Sequence, residues 1–429
     1  MAGMGVSKAD SDVSAAGAPA RVARGSDFWT VAFAFLIVAM SATLPSPLYG
    51  LYRTRDHLSA FTITIVYGVF AAGTIGALRA GPAIVGRVGR RGTMLAAVAT
   101  MMAAAGLLAV WKALPGLVAG RLLTGVAVGL ASGTAITFLI ELRLRADPRA
   151  DVARARVIGT SVNVGALGIG PLLAGVLAQF AKWPLTLSHL VMVGLGAVAL
   201  AALAPVPETG SVTRRGDAAT SGAELPSTPA AEGPRPRLPI PAAAATLAAF
   251  AANGLFAGLS GLFLSVTLHH PSHALSGLTL FLVFTSGVIS QVATGSWPAS
   301  RVLAFGTGSM LVGLVSMAVS VRLSSPSLAL FLISGALIGA GAGAVFKGTT
   351  GLVLETTAPQ YRLAMTSALL IVLFIGLSVP VIGAGIALDE GATAPDTVLV
   401  FAILVGLGVT ASGWALLGRR SASHQKTTA

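Results

Sequence analysis

The chain has 429 residues, of which 55% are hydrophobic and only 10% charged, whereas a soluble domain carries about 25% charged residues and a single soluble core stops growing near ~250–300 residues. That excludes a soluble globular protein and predicts an all-α integral membrane protein. The net charge of +13 is scattered in short runs between apolar segments, which argues against nucleic acid as a partner, and the absence of cysteine excludes disulfides, zinc–thiolate sites and thiol chemistry.

A bilayer core of ~30 Å takes about 20 apolar residues as a helix. Lipid admits only helices or closed barrels, and the apolar runs here are too long and too even for barrel strands. Residues 1–27 read as a polar tail and 28–52 as a first span, too long for a signal-peptide core. Spans follow at 60–85, 93–111, 114–140, 157–180 and 185–205. Residues 206–239 are rich in Pro, Gly, Ser, Thr and charge and read as a flexible linker. Six more spans are expected at 240–267, 274–297, 302–321, 327–353, 363–388 and 397–417, before a tail at 418–429. The expected organisation is two pseudo-symmetric six-helix bundles, 28–205 and 240–417, twelve transmembrane helices in all.

With the N-terminus inside, twenty of the 28 Lys and Arg fall on the cytoplasmic side and five outside, the asymmetry that orients membrane proteins. Both tails and the linker are therefore expected in the cytoplasm. All five tryptophans lie at span ends, as an interfacial aromatic belt requires. The halves echo each other: Glu141 ends span 4 and Glu355 ends span 10, each followed by a proline and then arginine (Arg362 in the second case), and GALGIGPLLAG at 165–175 has a looser counterpart in GLSVPVIGAG at 376–385. Duplicated six-span units build many secondary transporters, with the substrate site between the halves.

The polar residues within spans are few. Arg121 lies in span 4, where a cation facing lipid costs at least ~2.5–3.5 kcal/mol. It either faces a central cavity, with a coupling or binding role, or snorkels outward and pins its helix. Lys347 in span 10 sits among Gly341, Gly343, Gly348 and Gly351, which leave room for substrate or for another helix; its stem can also snorkel to the nearby cytoplasm. Arg79 is closer still to an end and is expected to snorkel. Asn163, Asn253 and Gln291 are neutral candidates for the cavity wall or for interhelical hydrogen bonds. None of the fifteen Asp and Glu lies centrally in a span, so the expected cavity is neutral to basic and suited to neutral or anionic substrates. HHPSH at 269–273 is expected as an exposed loop, because nothing completes a metal set. His189, early in span 6, titrates near neutrality in the unperturbed state or is an interfacial residue. No paired intramembrane acids, HExxH or GxxxxGK[ST] are present, so neither an enzyme nor an ATPase is expected.

Three stretches carry a family resemblance. PAIVGRVGRR at 82–91 is similar to the loop 2–3 pattern G-x-L-x-D-R-x-G-R-R, matching at Arg87, Gly89, Arg90 and Arg91, with Pro82 for the first glycine and Gly86 for the acid. RLLTGVAVG at 121–129 is similar to R-x-x-x-G-x-x-x-G, with Arg121, Gly125 and Gly129 in place. GALGIGPLLAG is similar to G-x-x-x-G-P-x-x-G-G, with Gly165 offset, Gly170, Pro171 and Gly175 matching, and Ala174 for one of the closing pair. The chain resembles the major facilitator superfamily over about residues 28–417, and within it the bacterial twelve-span drug:proton antiporter-like exporters.

That resemblance implies a monomeric multi-pass protein of the bacterial cytoplasmic membrane, with the lipid bilayer and a small molecule as its partners and no cofactor. It would work by alternating access, exporting a neutral or anionic drug-like or secondary-metabolite compound with the proton gradient as its energy source, as multidrug-resistance antiporters do. It assigns Arg121 to proton or substrate coupling, and it gives the missing acid at position 86 a role in holding one gate state. An importer or facilitator of a sugar or organic anion on the same fold is the alternative.

Overall fold

The structure is a computed structural model that describes residues 24–209 and 237–427. Most of the expected N-terminal tail and linker, with Lys8, Arg21, Arg214, Arg215 and Arg235, lies outside the described residues.

Among the described residues every regular element is helical. The first is α1 (Gly25–Met40), followed by a turn, a short 3-10 turn (Ser46–Leu48) and α2 (Tyr49–Asp56). The expected continuous first span is therefore interrupted. Pro45 and Pro47 supply no backbone N–H, and the freed segment bonds elsewhere: Thr43 Oγ1 donates to the Leu167 carbonyl at 2.7 Å.

Next comes α3 (Ala60–Val110), 51 residues long. A straight helix of that length would measure about 77 Å, more than twice a bilayer core. Gly89, at φ 76°, breaks the helical conformation inside it, so α3 is two spans joined at the loop 2–3 motif. The N-terminal bundle is completed by α4 (Leu114–Ala146), α5 (Val152–Phe180) and α6 (Pro184–Leu203). The C-terminal bundle holds α7 (Ile240–Leu262), extended by a π-helical turn to Thr267, α8 (His273–Ala293), α9 (Ala299–Arg322), α10 (Leu328–Thr356), α11 (Arg362–Asp389) and α12 (Ala394–Thr427). Here α8 stops short of the expected end at 297 and α12 runs past 417. Ten of these helices are long and apolar enough to cross a membrane, α1 is a shorter apolar helix, and the double pass of α3 brings the spans to twelve.

An even number of spans places Arg24 and Thr427, the first and last described residues, on one side, called here the terminal face. Its turns include Gly89 and the ends of α4, α6, α8 and α10. The five tryptophans are all exposed, as side chains set in an interface should be. Within each bundle, glycines bring helices together. A Cβ at Gly125 or Gly129 would run into the α3 backbone at Phe70 or Thr74, and one at Gly341 or Gly348 into the α9 backbone. Gly343 is stopped by Gly287 of α8. The glycines around Lys347 thus make room for helices and not for substrate.

Candidate functional site

Two helix pairs join the bundles, α5 with α8 and the first leg of α3 with α11, and both are tightest at the face opposite the termini. Asp389, at the end of α11, accepts the backbone amides of Ala60 at 3.0 Å and Phe61 at 3.2 Å, the first residues of α3. Gln179 Oε1 of α5 accepts Ser272 Oγ at 3.2 Å and His273 N at 3.0 Å. His273 Nδ1 lies 3.2 Å from the Pro47 carbonyl in the interrupted first span. These are the hydrogen bonds between bundles among the described residues, and none is on the terminal face. His269 and His270 are exposed, but His273 is not the open-loop residue expected, because it starts α8 inside this seam.

Glycine contacts trace the same wedge. A Cβ at Gly175 would meet the His273 carbonyl and Gly277. One at Gly168 would lie 3.1 Å from Phe281 Cα, and one at Gly165 3.9 Å from Val288. In the other pair, Gly385 and Gly68 abut Thr64 and Ile382, the Phe70 and Phe374 rings meet edge-on at 5.7 Å, and Gly81 and Gly86 have nothing near them. The bundles are closed at the opposite face and part towards the terminal face. The span 5 motif lies on this seam: Gly170 abuts Met40, while Gly277 presses on the Pro171 carbonyl.

Arg121 stands at the inner end of the closed region and is 1% exposed. It donates from Nη1 to the Ala42 carbonyl at 2.7 Å and from Nη2 to the Tyr67 carbonyl at 3.4 Å. Its guanidinium carbon lies 4.8 Å from the Phe70 ring centre and 5.7 Å from that of Tyr67, within cation–π range. Nε has no partner among the described residues, and neither do the buried Tyr49 hydroxyl or Asn253 Oδ1. An arginine so enclosed does not snorkel to lipid. Through Phe70 it reaches Phe374 of the other bundle.

Lys347 is elsewhere. Its Nζ donates to the Gln291 carbonyl at 2.6 Å and to Thr294 Oγ1 at 3.3 Å, capping the end of α8 within its own bundle. Arg121 and Lys347 share no partner. Asn163 is half-buried on α5.

At the terminal face a charge cluster surrounds Gly89. Arg90 Nε donates to Glu141 Oε2 at 2.6 Å, and Thr209 Oγ1 donates to the same oxygen at 2.6 Å. The Glu208 carboxylate accepts the Arg90 and Arg91 amides at 2.8 and 3.0 Å, capping the second leg of α3 as an anion should at a helix start. Arg91 Nη1 reaches the Val206 carbonyl at 3.4 Å, and Arg145 grips the Glu208 and Thr209 carbonyls at 2.7 and 2.8 Å. Arg79, Gly86 and Arg87 are exposed. Glu355 is exposed at the end of α10, and Arg362 Nε donates to the Thr357 carbonyl at 3.2 Å.

Sequence reasoning missed Asp389 and Gln179 as seam residues, and it placed Glu208 in the linker. The signal for Glu208 was its position directly after span 6. Its partners, more than a hundred residues away, gave none.

Among solved structures, one of a mutant of the nucleoside transporter NupG has the same fold, with a TM-score of 0.65 over 91% of this chain and 99% of that chain at 10% identity. No curated protein matches the chain. The family model of the Major Facilitator Superfamily matches residues 31–298, more than half of the chain. Twelve spans in two bundles, wedged shut at one face, together with that match, place the chain in the Major Facilitator Superfamily, a membrane transporter.

Proposed function

We propose that this chain is a secondary transporter that exports a small neutral or anionic compound, drug-like or a secondary metabolite, by rocking its two bundles about the seam. In this reading it sits as a monomer in a bacterial cytoplasmic membrane, with termini and the Arg90–Glu141–Glu208 cluster in the cytoplasm. The closed face is then the outer one, and the proton gradient supplies the energy. The observation that carries the substrate class is the placement of charge. Among the described residues the one fully buried cation, Arg121, adjoins the seam, while Asp27, Asp56, Glu141, Glu355, Asp389 and Asp396 all lie at helix ends. A lone cation in low dielectric favours an anion or a polar neutral group and repels cations. The Gly170–Pro171 motif of exporters, pressed against α1 and α8, supports the direction.

Uptake of a nutrient is the second reading, favoured by the likeness to a nucleoside transporter. The two separate in one experiment. An efflux-deficient bacterium expressing the chain is grown with matched cationic, neutral and anionic toxic compounds, and cellular accumulation of each is measured. Export of neutral or anionic compounds lowers accumulation and raises resistance. Increased accumulation of the same compounds supports uptake, and resistance confined to cations would overturn the substrate class.

A further inference from the structure

We infer that a groove between α7, α11 and α12 binds one acyl chain of a zwitterionic phospholipid, taken from the leaflet on the face opposite the termini. The lipid headgroup sits at the Arg322–Asp396 ion pair. The site does not depend on the direction of transport or on the compound carried.

The helices α11 and α12 follow each other in the chain, joined by residues 390–393, yet they hardly touch along their lengths. Both pack on α7, which floors the gap between them. The space so enclosed measures about 720 Å³, within the range of small-ligand sites. Its walls are single helix faces: Ala244, Leu247 and Ala251 on α7, and Val400, Leu404 and Gly408 on α12. Val400 and Leu404, at the rim, are more than half exposed, and a Cβ added at Gly383 on α11 would touch nothing.

All three helices are membrane spans, so whatever fills the groove comes from the bilayer. Water would find no hydrogen-bond partners along the apolar walls. An empty groove would forgo dispersion contacts along every wall. A hydrocarbon chain meets both conditions, and the depth suits it. From Asp396 to Gly408 α12 rises about 18 Å, against about 15 Å for one leaflet of a bilayer core. A chain entering beside Asp396 therefore runs the length of the groove to the bilayer midplane.

The polar side chains of the lining, Asp396 and Thr397, gather at that one end. Thr397 Oγ1 is committed to the Thr393 carbonyl at 3.0 Å. The exposed Asp396 carboxylate accepts Arg322 Nη2 of α9 on one oxygen and Thr393 Oγ1 at 2.7 Å on the other. Arg322 keeps further N–H donors for a phosphate, and the carboxylate beside it suits an ammonium group. A zwitterionic headgroup matches this pair charge for charge, whereas an anionic one brings no cation to the acid.

The groove also lies behind the helix that closes the seam. On α11, Pro380, Gly383, Ala384 and Ala387 line the groove, while Phe374, Ser378, Gly385 and Asp389 meet α3. At ~100° per residue these two sets fall on nearly opposite sides of the helix. A chain in the groove thus backs α11 where its other side meets the N-terminal bundle.

The test is photocrosslinking of the full chain in vesicles of equal parts phosphatidylethanolamine and phosphatidylglycerol with the same acyl chains. One lipid at a time carries a diazirine near the end of a chain, and adducts are mapped by mass spectrometry. The ethanolamine probe should label Leu247, Pro380 and Leu404 several-fold more than Val312 and Val315, which are exposed on α9. Gly383→Phe fills the groove and should bring its labelling down to the α9 level. Arg322→Gln together with Asp396→Asn should leave the groove labelled but remove the ethanolamine preference, up to about fivefold for an exposed charge pair. Equal labelling of groove and α9 in the original chain would overturn the inference, since it describes lipid that merely surrounds the protein. Undiminished groove labelling in a folded Gly383→Phe chain would also overturn it; should that variant fail to fold, the comparison within the original chain decides alone. Equal groove labelling by the two probes in the original chain would overturn the headgroup assignment. The chain has no cysteine, so a disulfide between two copies of Leu404→Cys, with the groove unlabelled, would overturn the inference by giving the groove to a second copy.

Discussion

The carboxylate of Asp389 caps the start of α3 at Ala60 across the boundary between the bundles. A helix end belonging to one bundle is thus held by an acid belonging to the other, on the face opposite the termini. On the terminal face, position 86 is a glycine with nothing near it. The acid that the resemblance places there, with a part in holding one gate state, is missing. Among the described residues, a carboxylate thus bridges the bundles at the face opposite the termini, while the Glu208 carboxylate at the terminal face caps a helix of its own bundle.

Asp389→Ala should loosen this closure. Loss of a helix cap costs about 1 kcal/mol, which is roughly a fivefold shift in the open-to-closed ratio. Ser378→Cys, buried beside Gly68 on the seam, reports it. Alkylation of that cysteine by a small maleimide should speed up about fivefold in the Asp389→Ala background. An unchanged rate would mean that the cap contributes nothing to closure.

Glu208→Ala should destabilise the fold with no change at the face opposite the termini. The Arg90 and Arg91 amides lose their acceptor, at a cost of about 0.5–2 kcal/mol, and the thermal midpoint in detergent should fall by about 2–4 °C. Glu208→Gln keeps one acceptor oxygen and should lose less. Equal midpoints for the original chain and Glu208→Ala would contradict the capping role.

Arg121→Ala should abolish transport, and Arg121→Lys should leave only a small part of it. Lysine keeps the charge but has no planar fork to bridge the Ala42 and Tyr67 carbonyls and stack on Phe70 at once. Monodispersity on size exclusion separates loss of function from misfolding. Transport at the original rate in a folded Arg121→Ala protein would contradict any role for the guanidinium.

Gly175→Leu should act as a wedge. Its side chain has no room against the His273 carbonyl and Gly277, so the seam at the face opposite the termini cannot close. The distance between spin labels on Lys182→Cys and Glu390→Cys should then be longer than in the chain with Gly175, and transport should stop. A short distance in the variant would show that the seam closes by some other packing.

Much of the fold could be read from local signals. Apolar run lengths gave the spans, and charge asymmetry gave the expected orientation. What the sequence did not reveal depends on contacts between distant residues. The interruption after Met40 was foreshadowed by Pro45 and Pro47, yet the apolar run across it looked continuous. Arg121 stood out because an arginine inside a span is costly wherever it points. Asp389, Gln179 and His273 did not stand out, since polar residues at span ends are ordinary until the helix opposite them is known. Lys347 shows the converse: its neighbouring glycines suggested a cavity, and they serve helix packing instead.

The most direct test of transport by parting of the bundles is a reversible cross-link across the seam at the face opposite the termini. Gln179→Cys and Ser272→Cys replace two side chains that lie 3.2 Å apart in the closed state, in a chain with no other cysteine. In proteoliposomes, movement of whichever neutral or anionic compound the bacterial panel identifies should cease on oxidation and return on reduction, with cross-linking verified by mass spectrometry. Undiminished movement through the fully cross-linked protein would contradict transport by parting of the bundles at this seam.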